Sequence, residues 1–254
     1  FSAEQLAERK RLKELYNSGI EIPDPEKTAP SVRRCRSELR RIILANAYAW
    51  KDKNGNRIPA KFLTLTFKQN IQDLKSANYY LTKYIQRLNY QFRNHLAESL
   101  KYVCVSEFQN RGAVHYHLVL FNFPFVDRVY TKLRDVWGGD RIHLETIQRR
   151  QSISHIISYV SKYITKQTAD GRFWGQKRYF ASRGLIAPIV LRDDIAIELL
   201  VQRVECYEKT RKVFNIPFCG NVDYYLYDLG ECFNINSLAN LDPYVKEQIS
   251  LAKK

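Results

Sequence analysis

From Lys61 the chain alternates apolar and polar positions through KFLTLTF (61–67), the period of a strand with one covered face. Residues 73–96 change period. Leu74, Ala77, Leu81, Tyr84, Ile85, Leu88, Phe92 and Leu96 recur at three and four residues, which predicts an amphipathic helix. YVCVSEFQ (102–109) and AVHYHLVLF (113–121) return to strand character. Only NRG separates them, so they form an antiparallel hairpin. A helix is expected at 126–137, stopped by Gly138-Gly139. A fourth strand follows in RIHLETI (141–147), and then a helix from about Ser152 to Lys166. The order is strand, helix, strand, strand, helix, strand, helix. It predicts an α+β fold: an antiparallel sheet of ferredoxin-like plan, with helices on one face and one extra helix.

Outside this block the patterns are weaker. Residues 2–16 read as a short charged helix, and Ile20–Pro30, with three prolines, as a linker. From Val32, helical spacing of Val32, Cys35, Leu39 and Ile42 is interleaved with Arg33, Arg34, Arg36, Arg40 and Arg41. That segment is a solvated basic face or a phosphate-tracking helix. Asn54-Gly55-Asn56 marks a turn. Beyond residue 190, DIAIELL reads as a helix, 209–216 and 223–228 as strands, and 241–253 as a closing helix. The expected organisation is a helical basic N-terminal extension (1–50), a core domain (51–190) and a mixed C-terminal extension packed on the core (191–254).

Composition changes the picture mainly through charge. A net charge of +15 on 254 residues points to a polyanionic partner, and nucleic acid is the commonest. The 17 tyrosines offer rings on which unpaired bases can stack, although any one of them serves core or surface more often. Five scattered cysteines without a CxxC argue against a disulfide framework or a structural zinc site and suit a reducing cytosol. No run approaches 18 apolar residues, so no membrane span is expected.

Two features carry chemistry. In His115-Tyr116-His117 the alternation of strand side chains places both imidazoles on one face, where they can share one divalent ion. Glu107, across the hairpin, can reach the same ion, and Gln109 is a lesser candidate. Histidine ligands favour Mn²⁺, and abundance favours Mg²⁺. The bland alternative is a pair of satisfied histidines. In SYVSKYITK (158–166), Ile153, Ile156, Ile157, Val160 and Ile164 fill an arc of about 100°. Tyr159, Lys162, Tyr163 and Lys166 follow at i, i+3, i+4 and i+7 on another side, and His155 borders them. Two phenols and two ammonium groups on one exposed stripe suit a nucleophile with phosphate-gripping cations. The alternative is an amphipathic edge helix with snorkelling tyrosines.

In order and spacing, FLTLTF (62–67), GAVHYHLVLF (112–121) and YVSKYITK (159–166) resemble the three motifs of the HUH endonuclease superfamily. More narrowly they resemble the two-tyrosine rolling-circle replication initiators of small single-stranded DNA phages and bacterial plasmids. RYFASRGL (178–185) resembles a segment that often follows the third motif. The resemblance spans about residues 61–185. It implies an HUH fold with a ferredoxin-like, RRM-like core and a metal held by His115, His117 and Glu107. Tyr159 is then the first choice of nucleophile and Tyr163 its alternate, with Lys162 and Lys166 beside them. The implied activity is nicking and rejoining of single-stranded DNA at a replication origin through a 5′-phosphotyrosine. Arg111, Arg33, Arg34, Arg36 and Arg40 become candidates for DNA contacts. No GxxxxGK[ST] motif occurs, so unwinding falls to a host helicase, with a host polymerase extending the freed end, in the cytoplasm of a bacterial cell. The tyrosines follow the histidines, which disfavours a relaxase, and their number disfavours a single-tyrosine transposase. A non-catalytic single-strand-binding module is the alternative of a different class; it has no need of two histidines and a glutamate on the central strands.

Overall fold

The computed structural model describes residues 25–138, 140–146, 157–158, 160–164, 171–173, 176–216, 220–227 and 242–252. The chain divides into two compact units, Phe1–Ala187 and Pro188–Lys254.

The first unit is built on a five-stranded antiparallel sheet. Its strands are β1 (Lys61–Thr66), β2 (Tyr102–Phe108), β3 (Val114–Leu120), β4 (Ile142–Thr146) and β5 (Phe180–Ala181), in the spatial order β4-β1-β3-β2-β5. The first four follow the ferredoxin-like plan, so the fold is the expected α+β class. β3 is central and buried along its whole length. Its even-numbered positions (Val114, Tyr116, Leu118, Leu120) meet Leu63 and Leu65 of β1 and Cys104 of β2. Helices α2 (Leu74–Gln91) and α3 (Val129–Val136) close that face with Ala77, Leu81, Tyr84, Leu88, Leu133 and Val136. Asp73 caps α2 by accepting from the Ser76 amide at 2.7 Å. The α2 register is the one that the apolar spacing predicts; the helix stops at Gln91 and the chain continues in turns, not on to Leu96.

The other face is covered too, contrary to the expectation of helices on one face. Helix α1 (Pro25–Asn46) contributes Val32, Leu39 and Ile43, and the helical segment α4 (residues 157–158 and 160–164) contributes Ile157, Val160, Tyr163 and Ile164. They bury Phe62, Val103, Val105, Val119 and Phe121, the opposite phase of β1, β2 and β3. A hydrophobic sheet face demands cover, and an α1 with apolar residues at helical spacing supplies it. The N-terminal segment is therefore a layer of the core as well as a basic surface. The expected linker to Pro30 is also corrected, because α1 begins at Pro25 and runs through Pro30. A first-turn proline suits a helix start, since its missing N–H has no intrahelical partner there; Pro30 forfeits one further backbone bond. The helix expected at 2–16 lies outside the described residues.

RYFASRGL, read from the sequence only as a motif, supplies β5. It pairs antiparallel along β2 (Val103↔Ala181, Cys104↔Phe180), and the Tyr102 amide donates to Ser182 Oγ at 2.9 Å. Asn46 joins α1 to the same segment through Ile186: its amide group donates to the Ile186 carbonyl, and its Oδ1 accepts from the Ile186 amide, each at 2.9 Å.

The second unit contains helices α5 (Asp194–Val204) and α6 (Pro243–Ala252), which share a small core of Ala196, Val245 and Ile249, and a two-stranded antiparallel sheet of β6 (Glu208–Ile216) and β7 (Gly220–Tyr227). The described cysteines 35, 104 and 206 are free thiols. Among the described residues no helix is long and apolar enough to cross a membrane.

Candidate metal centre and tyrosine helix

The β2–β3 hairpin brings the acidic and imidazole groups together. Its turn is closed by Gly112 at φ +84°, a left-handed conformation that glycine accepts without strain. Strand pairing sets Glu107 opposite His115 and Val105 opposite His117. Thr64 of β1 lies on the other side of His117. All share the phase of Phe62 and Val119, so the imidazoles face α1 and α4, and Tyr116 between them points the opposite way, its hydroxyl donating to Asn78 Oδ1 at 2.6 Å.

His117 is held on both ring nitrogens: Nε2 lies 3.1 Å from Glu107 Oε2, and Nδ1 lies 3.1 Å from Thr64 Oγ1. The second contact fixes the ring's orientation and tautomer, as the outer partner of a metal-binding histidine does. Sequence inspection assigned Thr64 no role. The available signal was a hydroxyl at the covered phase of an otherwise apolar strand.

His115 differs. Its Nε2 is buried and has no hydrogen-bond partner. Burial, then the neighbouring His117, hold its pKa down to about 4 against the opposing pull of Glu107, with Arg111 lowering it further. At neutral pH it is an uncharged imidazole with an unshared lone pair in a buried place. That is the form a metal ligand needs, and an unmade hydrogen bond there otherwise costs stability. The donor set of two imidazoles and a carboxylate thus fits a divalent ion. Among the described residues, no three His, Cys, Asp or Glu groups form a ready-made cage, because Glu107 is turned onto His117. Ligation requires that carboxylate to swing from Nε2 to a shared position.

The structure sets Tyr163 directly against this centre. Its ring stacks on His117, with centroids 3.8 Å apart and planes 13° from parallel, and Phe62 lies parallel to the same imidazole at 5.9 Å. Tyr163 is only 6% exposed, and it packs with Ile157, Val160 and Ile164. This corrects the expected exposed stripe. On a helical wheel Tyr163 stands about 20° beyond the apolar arc, and its long ring is drawn into the core. Lys162 is exposed as expected. Tyr159, Lys166 and His155 lie outside the described residues.

The arginines divide by environment. Arg111 donates through Nε to Gln109 Oε1 at 3.1 Å and through its guanidinium to the Phe67 carbonyl, which ties the hairpin turn to the end of β1. Gln109, the lesser ligand candidate, is thereby engaged. Arg33, Arg34 and Arg36 are exposed on α1 and Arg40 is half-buried.

Residues 60–168 match the family model of the replication-associated protein ORF2. The matched stretch begins before β1 and runs through α4, so it contains Glu107, His115, His117, Lys162 and Tyr163. The match supports a replication-associated protein. No curated protein and no solved structure gives a significant match.

Proposed function

We propose that this chain, similar over residues 60–168 to replication-associated proteins, initiates rolling-circle replication by nicking and rejoining single-stranded DNA. The observation that carries the reading is the centre itself: His115, with a buried and unpartnered Nε2, beside a Glu107–His117 pair that carries the Tyr163 ring.

A divalent ion, Mn²⁺ or Mg²⁺, held by His115, His117 and Glu107 supplies charge stabilisation at the oxygens of the scissile phosphate. The protein's own groups do the rest. A tyrosine hydroxyl loses its proton and its oxygen attacks phosphorus. The P–O3′ bond breaks, the 3′ oxygen leaves and takes up a proton, and the 5′ phosphate remains esterified to the phenol. Tyr159 makes the first attack. Tyr163 is the second acceptor and enters from its stacked position on His117, so that a second transesterification releases a joined strand. Lys162 and Lys166 hold phosphates from the α4 surface. Thr64 keeps His117 oriented. Arg111, Arg33, Arg34, Arg36 and Arg40 contact the DNA around the origin. A host helicase opens the duplex and a host polymerase extends the free 3′ hydroxyl.

The test uses end-labelled single-stranded origin DNA with Mn²⁺, with and without chelator, on a denaturing gel. The expected result is a chelator-sensitive cut and a covalent protein–DNA adduct. The adduct is lost in His115→Ala and in the Tyr159→Phe/Tyr163→Phe double variant. DNA that is bound but never cut in any metal overturns the enzymatic reading in favour of a binding protein.

A further inference from the structure

Helix α2 covers the sheet face opposite the imidazoles, and its outer side has an unusual make-up. Taking Tyr79 as the reference direction, Lys75, Gln86, Tyr79, Tyr90 and Lys83 fall within an arc of about 80°. The buried Ala77, Leu81, Tyr84 and Leu88 centre on the opposite side. Tyr79 and Tyr90 therefore stand where the helix points straight into solvent, and they are 60% and 72% exposed. A soluble helix ordinarily fills such positions with charges of both signs. This one carries no Asp or Glu in its 18 residues, although the chain holds 26.

Cations stand against the rings. Lys83 Nζ lies 5.4 Å from the Tyr79 ring centroid, and the Arg93 guanidinium lies 4.5 Å from that of Tyr90. Tyr80, 48% exposed, makes an edge contact with Tyr79 at 5.9 Å and leans on Phe67 at 5.8 Å, which braces this end of the row against the core. The i, i+4 lysine–tyrosine pair steadies a helix by itself, but that leaves the absence of carboxylates and the two outward rings unaccounted for.

We infer that the outer face of α2 is a binding surface for single-stranded DNA, separate from the metal centre. Stacking on exposed rings requires base faces that are open, which a duplex does not offer, and the alternating cations suit the phosphates between them. Tyr79 and Tyr90 are eleven residues apart, about 16 Å along the axis. At about 3.4 Å per stacked nucleotide that span holds about five nucleotides. Because α2 and the imidazoles lie on opposite faces of the sheet, a strand held here is a different stretch from the one at His115 and His117. The surface does not depend on the nicking chemistry.

The test is fluorescence anisotropy of labelled oligo(dT) of 15 nucleotides with the full chain in EDTA, so that no cleavage enters. Tyr79→Ala/Tyr90→Ala is expected to weaken binding about tenfold or more per ring, whereas Tyr79→Phe/Tyr90→Phe, which keeps the rings, retains it. Lys83→Gln is expected to lower the slope of log affinity against log salt by about 0.7. Ultraviolet crosslinking of bromodeoxyuridine-substituted oligonucleotide should map to Tyr79 or Tyr90. The alanine pair binding like wild type while melting at the same temperature overturns the inference and leaves α2 as a protein-docking face or a bare surface. Equal losses on a duplex of the same length also overturn it, since charge alone then explains the effect. Loss of cutting with these results intact would sink the nicking reading alone.

Discussion

A few side chains decide the chemistry, and their neighbours make them testable one at a time. His117 is oriented from one side by Thr64 and engaged from the other by Glu107. Thr64→Val removes the outer hydrogen bond with little change of volume. It is expected to weaken Mn²⁺ binding about ten- to a hundredfold by isothermal titration, and Thr64→Ser should restore most of it. An unchanged affinity would make Thr64 a packing residue. For Tyr163 the hydroxyl and the ring separate cleanly. Tyr163→Phe keeps the stack on His117 and should preserve stability and the first cut while abolishing strand rejoining. Tyr163→Ala empties a buried place and should cost about 3–5 kcal/mol in urea unfolding.

Lys61, buried on the opposite face, carries a pH signature. Its Nζ donates to the Phe123 carbonyl, and burial holds its pKa down to about 8. In the unfolded chain the group titrates near 10.4. Between those values the unfolded state binds the extra proton, so this residue's contribution to stability rises with pH from about 8 to about 10.4. The stability of wild type relative to Lys61→Met should rise by up to about 3 kcal/mol across that window, measured by denaturant unfolding. A flat difference would mean that Lys61 stays charged in the fold.

At the scale of elements, α1 combines two roles that a sequence pattern leaves open. Leu39 and Ile43 are fully buried against the imidazole-bearing face, while Arg33, Arg34 and Arg36 are exposed. Leu39→Ala should cost about 2–5 kcal/mol of stability. Arg33→Gln/Arg34→Gln/Arg36→Gln should leave the melting temperature nearly unchanged and flatten the salt dependence of single-strand binding, by about 0.7 in slope for each phosphate no longer neutralised. If the arginine variant unfolds and binds DNA normally, the basic face is only solvated. The β2–β3 hairpin was the most legible element. Its strands end within one residue of the positions given by alternation, and its register puts Glu107 across from His115. β5 was not legible, because a two-residue edge strand has too few positions for any period to appear.

For the whole molecule, the metal centre is assembled from β1, β2, β3 and α4, all within the unit that ends at Ala187. A chain ending at Ala187 is expected to fold, bind Mn²⁺ and give a chelator-sensitive cut. Failure of the truncated chain to fold, seen by circular dichroism, would show that residues 188–254 complete the core. The excess of 41 Lys and Arg over 26 Asp and Glu belongs to this scale too, because it acts through the summed field and favours encounter with DNA before any single contact forms.

The sequence by itself determined the order of elements and the side of the sheet on which His115, His117, Glu107 and Thr64 stand. Alternation in a strand is fixed by backbone geometry and needs no tertiary information. Helical spacing likewise determined which side of α2 is buried. Only the tertiary structure decided that α1 and α4 close the imidazole-bearing face, that Glu107 turns to His117 and leaves His115 Nε2 without a partner, and that Tyr163 lies on His117. A helical wheel gives angles within one helix. Which borderline residue is drawn inward depends on the shape of the surface it meets, and that surface exists only when strands far apart in the chain have paired.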